Sequence, residues 1–141
     1  MANRYNYSYI ESNPSRTYTD LNFSFAKHPI TNDVAKKTNE EAIKQSLKSL
    51  VYLGKNEKPF HPEIGGGIYD FLFENIAEEN LDVILEKKIH HVLSVYEPRA
   101  EIRGVSVKAS PERNGFSISV YFVVLNTLSP VTLDMFLKTV R

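Results

Sequence analysis

Up to Tyr96 the apolar residues recur three and four apart; from Ala100 onward they fall at every second position. A period near 3.6 belongs to helices and a period of 2 to strands, so the chain divides into a helical part and a sheet part. Ile43, Leu47, Leu50 and Val51 predict one amphipathic helix, entered through Thr38-Asn39-Glu40-Glu41 with the spacing of a capping box and closed by Gly54. Leu81, Ile84, Leu85, Ile89, Val92, Leu93 and Tyr96 predict a second and longer one, which Pro98 ends. Between them Ile68 to Phe73 predicts a short, nearly all-apolar helix. Val105, Val107 and Ala109 then alternate with Gly104, Ser106 and Lys108, and Ile102 on the opposite parity marks a bulge at Gly104. Asn114-Gly115 signals a hairpin. Phe116 to Val124 gives the next strand, and Val131, Leu133, Met135 and Leu137 the last. Near the start, Leu21, Phe23 and Phe25 alternate over Asp20 to Phe25 as a short strand, with Ile30 to Lys37 as a connecting loop.

The expected fold is α+β: N-terminal helices packed on a small antiparallel C-terminal meander, joined by the short N-terminal strand. A three-stranded sheet has two edges, and nothing later in the sequence covers the last strand, which leaves it open to a strand from another chain. Residues 1–20 lack periodicity and carry Tyr5, Tyr7 and Tyr9 at alternate positions. They are expected to form a tyrosine-rich arm, frayed in isolation or ordered on a partner, ahead of a single domain over 21–141.

Composition narrows the function more than the fold. Lys plus Arg and Asp plus Glu balance at 17 each, which gives no bulk field for nucleic acid or an anionic membrane. No apolar run reaches the roughly 20 residues that span a bilayer, and no apolar signal segment opens the chain. Synthesis and use in the cytoplasm follow as the expectation. Cysteine is absent, which removes disulfides, thiolate metal sites and a cysteine nucleophile. His61-Pro62-Glu63 therefore lacks the cysteine pair of a zinc deaminase. His90 and His91 are adjacent and diverge by about 100 degrees on a helix, so they cannot chelate as an i, i+4 pair. Gly65, Gly66 and Gly67 lack the lysine of a phosphate loop and predict a tight structural turn with close backbone approach. Glu63, Asp70, Glu74 and Glu97 are the carboxylates from which a glycosidase pair would be drawn, but Asp70 and Glu74 share one short helix face and no cleft is legible. No cofactor or metal is implied.

Two motifs carry a resemblance. Phe60-His61-Pro62-Glu63-Ile64-Gly65-Gly66-Gly67-Ile68-Tyr69-Asp70-Phe71-Leu72-Phe73-Glu74, followed after the long helix by Glu97-Pro98-Arg99, resembles the baseplate wedge proteins of contractile phage tails. That family also includes the sheath initiator of type VI secretion systems. The likeness runs from about Asp20 to Leu137, through Leu21 to Phe25 and Glu40 to Ile43. It implies a non-enzymatic virion component of the tail baseplate, assembled in the host cytoplasm and present in six copies. Its implied partners are other wedge proteins and the first ring of sheath subunits, with the tail tube or hub as further candidates. It also implies that the C-terminal strands mimic part of a sheath subunit and accept sheath strands. Glu97, Pro98 and Arg99 are accordingly the expected wedge-docking residues, the alternative being an internal cap in which Arg99 pairs with Glu97. Val131, Leu133, Met135 and Leu137 mark the expected sheath-contacting strand. Older labels in the family mention lysozyme, so a tail-associated muramidase is the competing function.

Overall fold

The computed structural model describes residues 17–68, 71 and 80–138. Helices α1 (Asn39–Tyr52) and α2 (Leu81–Tyr96) cover one face of an antiparallel meander, β3 (Ala100–Ser110), β4 (Gly115–Val124) and β5 (Pro130–Lys138). Ahead of them β1 (Thr19–Leu21) pairs with β2 (Lys36–Thr38) in a separate two-stranded sheet. This is the α+β arrangement the periodicity predicts.

Sheet register follows the alternation. Phe116, Ile118, Val120 and Phe122 of β4 stand opposite Ala109, Val107, Val105 and Ile102 on one side and Leu137, Met135, Leu133 and Val131 on the other. The register shifts between Ile102 and Gly104, and this bulge returns Ile102 to the apolar face despite its odd spacing. Against that face pack Ile43, Leu47 and Val51 of α1 and Leu85, Ile89 and Leu93 of α2, all within 1% of full burial. Each such side chain contributes about 1.5–3 kcal/mol relative to exposure. Ile84, expected in the α2 stripe, is instead 51% exposed. The buried α2 residues Leu81, Leu85, Val92 and Ile89 define a narrower stripe that leaves Ile84 on its flank.

The N-terminal strand is shorter than expected. β1 ends at Leu21, because the Asn22 N–H donates to the Ala35 carbonyl while the Ala35 N–H goes on to the Ala26 carbonyl, and Phe25 adopts φ 50°, which breaks an extended run. Phe23 and Phe25 are consequently 58% and 70% exposed. The predicted loop over Ile30 to Lys37 contains the start of β2, which supplies the partner β1 needs. Gln45 secures the segment after β1: its Nε2 donates to the Leu21 carbonyl at 2.7 Å and its Oε1 accepts from the Phe23 N–H at 3.1 Å. β1 begins at Thr19, within the stretch expected as the arm.

Thr38 precedes α1 but its hydroxyl makes no capping bond. The chain enters through Asn39 at φ 44°, whose N–H donates to the Tyr18 carbonyl at 2.8 Å and whose Oδ1 accepts from the Tyr18 N–H at 3.1 Å. That exchange replaces the capping box and ties the segment before β1 to α1. Of the predicted short apolar helix, Ile68 and Phe71 have helical backbone and Ile68 is buried. Tyr69, Asp70 and residues 72–79 lie outside the described residues, as do residues 1–16.

Candidate functional site

Glu97, Pro98 and Arg99 lie where α2 gives way to β3. The Glu97 N–H still reaches back to the Leu93 carbonyl at 3.0 Å, and Pro98 prevents a further turn. The Glu97 side chain then turns inward and is 2% exposed. Arg99 meets it as a fork, with Nε 2.7 Å from Oε1 and Nη2 2.8 Å from Oε2. The remaining guanidinium nitrogen donates to both oxygens of Asp20 at 3.0 Å, across 79 residues of sequence. Ser46 of α1 also hydrogen-bonds Glu97. The Arg99 carbonyl accepts the Leu125 N–H at 3.1 Å, in the turn after β4. Four parts of the fold therefore meet on one ionic clasp.

Its electrostatics follow from these contacts. Burial pushes the Glu97 carboxyl up, but the hydrogen bonds from Arg99 and Ser46 and the guanidinium charge outweigh it, so the group is held below its usual value. Arg99 is raised above its already high value, chiefly by the Glu97 hydrogen bond, with burial opposing and Asp20 adding to the rise. The expected docking residues are thus placed differently from a free charged surface. Glu97 is enclosed and its oxygens are occupied, and the Arg99 donors are engaged inside the chain, because a buried carboxylate requires a matched partner. Pro98 is exposed, and in the turn after β4, whose Leu125 bonds the Arg99 carbonyl, Leu125 and Leu128 are 47% and 72% exposed. Asp20 was not foreseen as the third charge; nothing local in the sequence marks it.

The glycines form a backbone crossing. Gly65 has φ 133° and Gly67 φ 53°. A Cβ on Gly65 would lie 2.6 Å from the Gly54 carbonyl oxygen and 2.9 Å from that of Leu53. The turn therefore passes directly against the end of α1. Tyr96 steadies it from the other side, its hydroxyl donating to the Glu63 carbonyl at 3.2 Å.

The two sheet edges differ. At β3 the outward Val107 N–H is taken by Glu86 Oε1 of α2 at 2.9 Å, so this edge carries an internal guard. At β5 the side chains of Val131, Leu133, Met135 and Leu137 face the core, and their backbones face β4. Three observations fix that orientation. The Leu137 carbonyl oxygen abuts Gly115 of β4; the Val124 N–H, on the same side of β4, bonds Ser129 in the turn at 3.2 Å; and Pro130, which has no N–H, falls on the other parity. Backbone groups pointing away from the sheet therefore belong to Thr132, Asp134 and Phe136. The Phe136 carbonyl accepts the Tyr52 hydroxyl at 3.3 Å. Thr132 and Asp134 present theirs along the edge.

Neither described carboxylate suits a glycosidase acid. Glu63 is an exposed loop group paired with His61 at 3.0 Å and, like Glu97, is lowered, here first by a backbone hydrogen bond and then by His61. A general acid needs the opposite shift. Asp70 and Glu74 lie outside the described residues. Among the described residues no cluster of His, Asp and Glu is arranged to hold a metal, and no helix is long and apolar enough to cross a membrane.

Comparison with known proteins agrees with the layout. Residues 37–128 match the family described as baseplate wedge protein gp25. Baseplate wedge protein gp25 of Enterobacteria phage T4 is 31% identical over 96 residues, covering 68% of this chain and 71% of that protein. Two solved structures share the fold at 22% identity. One is a protein of Geobacter sulfurreducens described as a candidate tail lysozyme, with TM-score 0.65 over 72% of this chain and 92% of the other. The second is a chain of the anti-feeding prophage baseplate, with TM-score 0.59 over 89% of this chain and 88% of the other. With the glycine turn and most of the helix-to-sheet frame inside the matched span, the chain belongs to the baseplate wedge protein family of contractile tails.

Proposed function

We propose that this chain is a structural, non-enzymatic part of the baseplate wedge, which docks to other wedge proteins and starts the sheath by accepting a sheath strand at β5. Family membership puts it in the tail baseplate of the virion. The observation supporting sheath initiation is the asymmetry of the edges: Glu86 guards β3, whereas Thr132 and Asp134 leave hydrogen-bonding groups along β5. An added strand gains main-chain bonds there, and alternate side chains set its register. Six copies around a tail tube, as the resemblance implies, would offer six such edges to the first sheath ring.

In wedge docking, Glu97 and Arg99 act by holding the surface in shape. Contact is made by exposed Pro98 with Leu125 and Leu128, which the clasp fixes through the Arg99 carbonyl. The deciding experiment places proline at Thr132 and Asp134. Those N–H groups point outward, so the β4–β5 ladder survives while the acceptor edge is lost. Baseplates carrying the double variant are expected to assemble but to grow no sheath. Normal sheath on such baseplates would refute strand acceptance at β5.

A further inference from the structure

Beside the open edge of β5 lies a groove of about 490 Å³. Leu133 of β5, Tyr52, Lys48 and Lys44 of α1, and Phe23 with Lys37 line it. Because Leu133 belongs to the core face of the sheet, the groove prolongs that face past β5, beneath α1. A strand added along Thr132 and Asp134 would send every second side chain into it. The groove is therefore the space left for the inward side chains of a fourth strand.

Its chemistry is uneven. Lys44 is occupied by Glu41 at 3.1 Å. Lys48 lies 5.8 Å from the Tyr52 ring centroid, and neither Lys48 nor Lys37 has an ion pair among the described residues. The apolar centre is thus flanked by two ammonium groups, a positive site in a chain with no net charge. We infer that this groove selects the incoming strand, favouring an extended segment whose inward positions carry apolar residues flanked by carboxylates. The inference rests on strand addition at β5. It also argues against the chain's own N-terminal residues as occupant, since residues 1–16 hold Arg4 and Arg16 against the single carboxylate Glu11.

Three peptides test it on the full 141-residue chain: Glu-Thr-Leu-Thr-Val-Thr-Glu, its counterpart with lysine for both glutamates, and residues 1–16. Amide exchange and shifts are followed by NMR. The acidic peptide is expected to slow exchange at Thr132 and Asp134 and to bind about tenfold tighter than the lysine peptide at low salt, the gap closing as salt rises. Lys37→Glu with Lys48→Glu should invert the preference. Equal protection by both synthetic peptides would overturn the selectivity while leaving strand addition standing. Binding near Lys37 and Lys48 without protection at Thr132 and Asp134 would overturn strand addition itself. Tighter binding by residues 1–16 would make the arm the occupant and refute the inference, and absence of binding by all three would refute both.

Discussion

Arg99 neutralises the buried carboxylate of Glu97, and the cost of separating them sets the behaviour of this residue cluster. Removing one partner of a buried pair leaves a charge without compensation, so Arg99→Ala is expected to lose about 3–5 kcal/mol in urea denaturation. Arg99→Lys keeps the charge but not the fork, and should recover only part of that stability. Asp20→Ala, which touches the outer and partly exposed nitrogen, should cost about 1 kcal/mol or less. Because the folded Glu97 carboxyl sits below its usual 4.5, its stabilising share is complete above that pH and is lost as pH falls through the folded value. The stability gap between wild type and Glu97→Gln should therefore be widest near neutrality and shrink in acid; a gap independent of pH would contradict the clasp. Glycine offers a second contrast. Gly65→Ala meets two carbonyl oxygens at positive φ and should cost about 2–4 kcal/mol. At Gly104 the nearest atom is a Tyr121 side-chain carbon at 3.8 Å, and alanine there should change stability by about 0.5 kcal/mol or less.

At the level of elements, the strands show how one ladder can be both complete and unfinished. Leu133→Pro removes an N–H that faces β4 and should destabilise the chain by about 3 kcal/mol, whereas Thr132→Pro should leave the thermal midpoint within a few degrees of wild type. Equal losses would mean that the backbone parity of β5 is reversed. Glu86→Ala uncovers the outward Val107 N–H, so self-association, read by sedimentation, is expected to rise when the β3 edge loses its guard. Strand lengths, the bulge and the hairpin were legible because Phe116, Ile118, Val120, Phe122 and Val124 all face one packed surface. β1 was less so: Leu21, Phe23 and Phe25 have the right alternation, but pairing stops at Leu21, opposite Lys36 where β2 begins.

For the molecule as a whole, α1 and α2 cover one sheet face among the described residues, and an ionic clasp joins α1, α2, β1 and the turn after β4. A frame tied at that many points suits a part held in a larger assembly. The wedge reading predicts no peptidoglycan solubilisation by the purified chain, with Glu63→Gln indistinguishable from wild type. Solubilisation lost in that variant would establish the muramidase instead. Docking is checked by co-purification with wedge partners: Leu128→Asp should abolish it while leaving the thermal midpoint unchanged within a few degrees, since Leu128 is exposed.

Periodicity alone determined the two main helices, the meander and its inward residues, since each depends on side chains a few positions apart sharing one buried face. The glycine turn and the Glu97-Pro98-Arg99 motif were equally visible, as was their likeness to a family. Tertiary structure decided where those motifs sit and which residues they meet. It brought Asp20 to Arg99, turned Glu97 inward and set Glu86 on the edge of β3, contacts between residues far apart in sequence that no local pattern encodes. It also set the outward backbone groups of β5 at Thr132 and Asp134, between the apolar residues Val131 to Leu137. Side-chain alternation reveals which residues are buried, but the direction of each N–H and C=O depends on which neighbouring strand is already there.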